Sequence, residues 1–197
     1  MIGTLPKTLT VGGINYPIRS DYRNVLQVFE AFNDPDLERS DKWIVAIYLI
    51  FADFSCADDV EEAVKNGFEI QDAAEQLMWF IRAGADEKKD VERPTYDWAK
   101  DEQMIFSAVN KVKGEEVREA DYMHWWTFLG YFNEVGEGSF SYIVGIRNKL
   151  NSGKKLDKSE KEFYHKNRNL VDMKPPKSKE ELESERQYQA FLDEVLG

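Results

Sequence analysis

Residues 8–33 read TLTVGGINYPIRSDYRNVLQVFEAFN, and the hydrophobic period changes once within them. In the first half, Leu9 and Val11 share a face, Gly12-Gly13 follow, and Ile14, Tyr16 and Ile18 alternate again. This two-residue period predicts a β-hairpin, with the glycines supplying the positive φ of a tight turn and Pro17 suiting an edge. From Ser20 onward Tyr22, Val25, Leu26, Phe29 and Phe32 recur every three or four residues behind a Ser-Asp start signal, which predicts a helix with one buried face. An isolated hairpin is marginal in water, so it must lie on helices.

Further along, helical signals dominate. Asn33-Asp34-Pro35 ends the first helix, because proline restricts the residue before it to extended backbone. The next is expected from Ser40 or Asp41 through Trp43, Ile44, Ile47, Tyr48 and Phe51. It is apolar on nearly every side, so it reads as the central helix, with a strand as the competing reading. Asp58 and Asp59 open a third helical region, broken at Gly67, that continues through Ala73, Ala74, Leu77, Met78 and Ile81 to Gly84. After a charged loop from Asp86 to Pro94, Thr95 or Asp97 is expected to cap a fourth helix with Trp98, Ile105, Ala108, Val109 and Val112 on one stripe. A fifth is expected from about Asp121 to Val135, with Tyr122, Trp125, Trp126, Leu129 and Phe132 inward, and a sixth around Phe140, Ile143, Val144 and Leu150. The fold class is therefore mainly α: a helical bundle with an N-terminal β-hairpin and a C-terminal amphipathic helix on a tether.

The tether follows from a shift in composition. Residues 1–153 carry 16 basic and 27 acidic side chains, and residues 154–197 carry 10 of each. Pro175-Pro176 interrupts any helix there. Beyond it Tyr188, Phe191, Leu192, Val195 and Leu196 form an i, i+3, i+4, i+7, i+8 stripe. The chain thus divides into a helical domain with its hairpin (1–153), a basic linker region (154–178) and an amphipathic helix (179–197).

Net charge over the 197 residues is −11, which argues against nucleic acid or anionic lipid as a partner. No apolar run approaches the roughly 20 residues of a membrane-spanning helix. A single cysteine and the lack of a signal-peptide pattern point to the cytoplasm. His124, His165 and Cys56 have no metal-ligand spacing, so neither metal nor cofactor is expected. His124 reads as a structural histidine, and Cys56 as a small buried residue rather than a reactive thiol. The one enzymatic candidate is the acidic set Glu61, Glu62, Glu69, Asp72 and Glu75, which could hold Mg²⁺ in an all-α nucleotide hydrolase. It lacks a matching acidic pair on a facing helix, and a solvated helix face explains it. Two features suggest binding instead: the aromatic run Met123 to Phe128, as interface or as a core packed from both sides, and the C-terminal stripe, docked on a partner or on its own domain.

Several stretches together resemble the phage gene-product-fifteen family of tail proteins of long-tailed bacteriophages. They are Leu5-Pro6, Ile14 to Arg23, Phe29-Glu30, Lys42 to Phe51, Tyr96-Asp97-Trp98 with Asp101, His124 to Phe128, and Ile143 to Arg147. The His-Trp-Trp segment followed by Ile-x-Gly-x-Arg is the most specific part. Ile81-Arg82-Ala83 matches weakly, and the tail after Pro176 falls outside the resemblance. The resemblance implies a non-catalytic tail assembly chaperone in the host cytoplasm. Such a protein keeps the tape-measure protein soluble, with the tail tube protein as a further expected partner, and is expected as a homo-oligomer. A structural component retained in the tail is the alternative. On this reading the partner-binding residues are Trp125, Trp126, Phe128, Tyr188, Phe191 and Leu192. Arg19, Arg23 and Arg147 lie within the resembling stretches, and salt bridges to Asp21 or Asp97 would account for them.

Overall fold

The computed structural model describes residues 3–85 and 94–173. The charged loop's residues 86–93, the tether with Pro175-Pro176 and the stripe with Tyr188, Phe191 and Leu192 lie outside the described residues. The architecture is mainly helical, with a small antiparallel hairpin at the N-terminal end.

The hairpin consists of β1 (Thr8–Val11) and β2 (Ile14–Pro17), with Val11 opposite Ile14 and Thr8 opposite Pro17. Gly12 and Gly13 make the two-residue turn at φ values of +56° and +79°, as positive φ at both central positions demands. Leu9 and Val11 are buried. Their side of the sheet rests on α4 (Ile70–Ile81), and the Gly12 N–H donates to Asp72 Oδ2 at 2.7 Å. That bond fixes the turn to the helix and gives one member of the acidic set a structural partner.

Helix α1 (Tyr22–Asn33) starts where the period changes, with the Asp21 carboxylate accepting from the Arg23 N–H as N-cap. It packs along α2 (Arg39–Ile50), which settles the strand-or-helix alternative in favour of helix. In α2, Ala46, Ile47 and Ile50 are fully buried, and the helix also meets α3 (Ala57–Lys65) and α4. Gly67, at φ +98°, lies in the break between α3 and α4. Helices α5 (Glu102–Lys113), α6 (Trp125–Asn133) and α7 (Ser139–Asn151) complete the main body.

Two helices start later than their patterns predict. The fourth is not capped by Thr95 or Asp97; α5 begins at Glu102, and Trp98 sits in the preceding turn, where its ring stacks on Phe29 with centroids 5.7 Å apart. The fifth begins at Trp125 rather than Asp121, which leaves Tyr122 about half exposed with its hydroxyl bonded to Ser20. Leu150, named with the apolar residues of the sixth helix, lies on α7 but is exposed. Each of these patterns continued past the turn of helix that buries it.

The core is markedly aromatic. Tyr22 stacks on Phe128 at 4.5 Å, and Trp98 adjoins Trp125, Phe128 and Phe132. Burying each large side chain stabilises by roughly 1.5–3 kcal/mol. A second, small cluster lies against the far side of α7, where Ile146 meets Leu156 and Val171. Leu156 and Val171 come from the stretch read as a basic linker. The described part of that stretch forms α8 (Lys158–Lys166) and α9 (Arg168–Val171), with α9 packed on α7. Domain-like order therefore continues past residue 153, to the last described residues.

Candidate partner-binding groove

Along α4, Ala73, Leu77, Phe80 and Ile81 point into the core, so the next row of the helix, Ile70, Ala74 and Met78 at i, i+4 and i+8, lies partly open. Across from it α2 presents Arg39 and Trp43, the latter ring edge-on to Phe32 at 5.0 Å. Together these residues line a groove of about 690 Å³ whose floor is Trp43, Ile70, Ala74 and Met78, with Gln71, Glu75, Arg39 and Arg82 on its rim. From Ile70 to Arg82 the helix rises about 18 Å, enough for three turns of a docked helix. A second groove of about 590 Å³ runs between α5 and the 134–141 connection, and it mixes Met104, Ala108, Val112 and Phe140 with backbone, Lys111, Glu134 and Glu137.

The aromatic residues assigned to partner binding mostly do other work. Trp125 and Phe128 are 1% and 0% exposed and belong to the core, so as placed neither can present its ring to a second chain. The indole N–H groups of Trp125 and Trp126 donate to Ile81 O and Phe80 O, both at 2.8 Å. The last carbonyls of a helix have no partner within it, and these two indoles satisfy consecutive ones at the end of α4. Trp126 remains half-buried beside the exposed Trp79, centroids 5.4 Å apart. The other three residues, Tyr188, Phe191 and Leu192, lie outside the described residues.

His124 is structural, and its tautomer follows from its partners. Pro6 O, 2.9 Å from Nε2, can only accept, so the ring proton is on Nε2. Nδ1 then accepts from the Trp126 N–H at 3.0 Å and caps α6. Burial, aided by the nearby Lys7 charge, lowers the His124 pKa against the raising effect of the Pro6 bond. The neighbouring backbone closes the same junction: Tyr22 N–H to Met123 O and Trp125 N–H to Ser20 O, with Asp21 Oδ2 accepting from Met123 N–H. The Ser-Asp-Tyr and His-Trp-Trp stretches thus pin the first turns of α1 and α6 to each other.

The three arginines also act within the fold. Arg23 pairs with Asp21 at 3.1 Å, as expected, and also reaches Arg118 O and Ala120 O. Arg19 pairs with no acid in the expected pattern. Its guanidinium donates to the carbonyls of Tyr48, Phe51, Ala52 and Phe54, which closes the end of α2. Arg147 pairs with Asp101 instead of Asp97, in a two-pronged contact of 2.5 and 2.9 Å that is almost wholly buried. Its remaining N–H groups donate to Thr95 O, Leu170 O and Val171 O.

Cys56 is exposed rather than buried and precedes α3. Among the described residues, no three His, Cys, Asp or Glu side chains come together as a metal ion requires, and no helix is long and apolar enough to cross a membrane. Periodicity does not mark the α2–α4 groove, because its two rows come from helices with α3 and the Gly67 break between them, and their open residues look like the edge of a buried face.

No curated protein and no solved structure matches the chain. The family model described as Bacteriophage Gp15 protein matches residues 1–173. That match spans the hairpin, the tryptophan-capped end of α4 and the helices after residue 153, and the chain belongs to the bacteriophage Gp15 protein family.

Proposed function

We propose that this protein is a non-catalytic tail assembly chaperone that holds apolar helical stretches of the tape-measure protein in the α2–α4 groove until the tail tube closes around them. The carrying observation is the groove itself: an open, apolar channel about three helical turns long between two packed helices, on a chain of a phage family. Helix-in-groove recognition needs such a row of apolar contacts at i, i+4 and i+8 and polar rims to set register. The −11 net charge would keep the complexes apart through mutual repulsion.

Co-expression with the tape-measure protein tests this. The wild type is expected to keep it soluble and to co-purify with it. Met78→Glu, which places a charge on the groove floor, is expected to reduce recovery at least tenfold while the far-UV circular dichroism stays unchanged. An insoluble or unbound tape-measure protein beside abundant folded wild type would refute the proposal. Purified virions are expected to lack the protein, and finding it there in stoichiometric amount would favour a retained tail component.

A further inference from the structure

We propose that the outer edge of β1 pairs with the same edge of a second copy of the chain, antiparallel about a twofold axis at Leu9, so that two hairpins join into one four-stranded sheet. The inference goes beyond the chaperone reading and does not depend on it. It rests on which backbone groups the hairpin leaves open, where that edge is closed, and the charges at its two ends.

The hydrogen-bond phase of the hairpin decides which residues point outward. Ile18 N–H donates to Lys7 O at 3.0 Å, and the register sets Leu9 opposite Tyr16 and Val11 opposite Ile14. Bonded pairs alternate along an antiparallel ladder, so Lys7, Leu9 and Val11 turn their N–H and C=O groups toward β2. Thr8 and Thr10 turn theirs away from it, and both residues are exposed.

The two edges of the hairpin differ. On β2 the outward groups are used: Ala52 N–H donates to Pro17 O, Arg19 N–H donates to Ile50 O, and Pro17 has no N–H to offer. On β1 only the ends are closed. Pro6 again lacks an N–H and its carbonyl meets His124 Nε2, while the Gly12 N–H is taken by Asp72. Between those stops the backbone groups of Thr8 and Thr10 have no partner among the described residues. An open strand edge is a template for another strand.

β1 fits its own edge, because the stops leave room for a strand with two outward residues and β1 is such a strand. With Leu9 opposite Leu9 of the second copy, Thr8 faces Thr10 of that copy and Thr10 faces its Thr8, and each pair exchanges both N–H···O bonds. A shift by one residue sets outward groups against inward ones. A shift by two brings Pro6 or Gly12 into a bonded pair, where the Pro6 carbonyl and the Gly12 N–H are already engaged. The Leu9 register therefore uses every open group. Threonines directly opposite each other are also a favourable cross-strand pair.

The charges at the ends agree with this register. Lys7, near the Pro6 end, is exposed and has no acidic partner among the described residues. At the other end the Glu69 carboxylate lies beside Gly12 and Asp72 accepts its N–H, and neither acid has a basic partner among the described residues. Within one chain Lys7 and Gly12 are about 17 Å apart along the strand. The pairing sets Lys7 of each copy opposite Val11 of the other, next to that copy's Glu69 and Asp72, so the charges complement each other twice. An extended peptide from another protein would meet the same backbone groups without this reciprocity. The contact is short and belongs to the small, transient class of interfaces.

Sedimentation of the full-length chain in about 0.15 M salt tests the pairing, since the −11 charge of each copy is then screened beyond about 8 Å. Wild type is expected to pass from monomer to dimer as its concentration rises through about 0.1 mM. Thr10→Pro removes an N–H that the hairpin does not use and is expected to weaken the dimer at least tenfold. Lys7→Glu, a change at an exposed side chain, is expected to weaken it by a similar factor, and adding Glu69→Lys to restore it. A wild type that stays monomeric through this range, or a dimer that neither Thr10→Pro nor Lys7→Glu weakens, would overturn the proposal.

Cross-linking tests the register and decides even where Thr10→Pro fails to fold. In a Cys56→Ser background, a mixture of Thr8→Cys and Thr10→Cys chains is expected to form mixed disulfides at least tenfold faster than either chain alone forms its own. The reason is that residues 8 and 10 of the two copies stand about 5.5 Å apart at Cα in a bonded pair, within disulfide range, whereas like residues are offset by two positions. Equal rates in the mixture and in the separate chains would overturn the proposal.

Discussion

The main body and the C-terminal module behind α7 are held together by different physics. Around Tyr22, Trp125 and Phe128 the cohesion is apolar: stacked and edge-on rings packed against one another. Behind α7 the buried apolar side chains among the described residues are Ile146, Leu156 and Val171, and the module hangs on polar bonds, above all the five N–H groups of Arg147. A dispersed apolar core loses a contact and relaxes around it. A module organised by one guanidinium loses its register when that group goes.

Arg147→Met breaks the comparison most severely. It leaves the Asp101 carboxylate buried without its partner and three carbonyls without their donor, and is expected to cost about 3–5 kcal/mol. Hydrogen exchange should show protection lost first in α8 and α9, with α1 and α2 keeping theirs. Adding Asp101→Leu removes the stranded charge and is expected to restore part of the loss in urea melts. Uniform loss across all helices would mean the module is no separate unit.

Leu156→Ala tests the apolar share of the same module. The side chain is 8% exposed in a three-residue cluster, and its truncation is expected to cost about 2–3 kcal/mol, toward the lower end of the usual range because a small cluster can close over the gap. A cost above that of Arg147→Met would reverse the assignment of what holds α8 and α9. The next step down is the capping box of α8, in which Asp157 accepts from the Glu160 N–H and Glu160 accepts from the Asp157 N–H, while Lys149 pairs with Glu160. Asp157→Ala is expected to cost about 1 kcal/mol, read as a lower midpoint with an unchanged urea slope.

These interactions also mark how far the sequence could be read. The hairpin, the helix after it and the break at Gly67 follow from periodicity and glycine, which are local. The partner of Arg147 is 46 residues away and could not be read from spacing: Asp21 or Asp97 was expected, and Asp101, at the start of α5, is the acid it meets. The tryptophans were visible as large rings, and rings suggest a surface or a core. That their N–H groups close the end of α4 depends on where α4 stops, a tertiary fact. The module after residue 153 was hidden by its charge, since a helix with little apolar surface resembles a linker until its few buried residues find α7.

His124 gives the mildest test, at the junction where the aromatic body itself relies on polar closure. Its native pKa lies below that of an unfolded histidine, about 6.5, so the native state favours the neutral ring and the unfolded chain takes up the proton first. Stability is therefore complete above about pH 6.5 and falls as the pH drops from there toward the lower native pKa, where a proton on Nδ1 would face the Trp126 N–H and the cap would be lost. The loss is bounded by the value of a cap, about 1 kcal/mol. His124→Asn keeps an acceptor at the cap but cannot titrate, and it loses the Pro6 bond equally at every pH. The gap between wild type and variant in urea midpoints should then narrow as the pH falls from 7 to 5. A gap that stays constant would place the proton-sensitive closure elsewhere and leave the aromatic body as insensitive to pH as its apolar packing alone would make it.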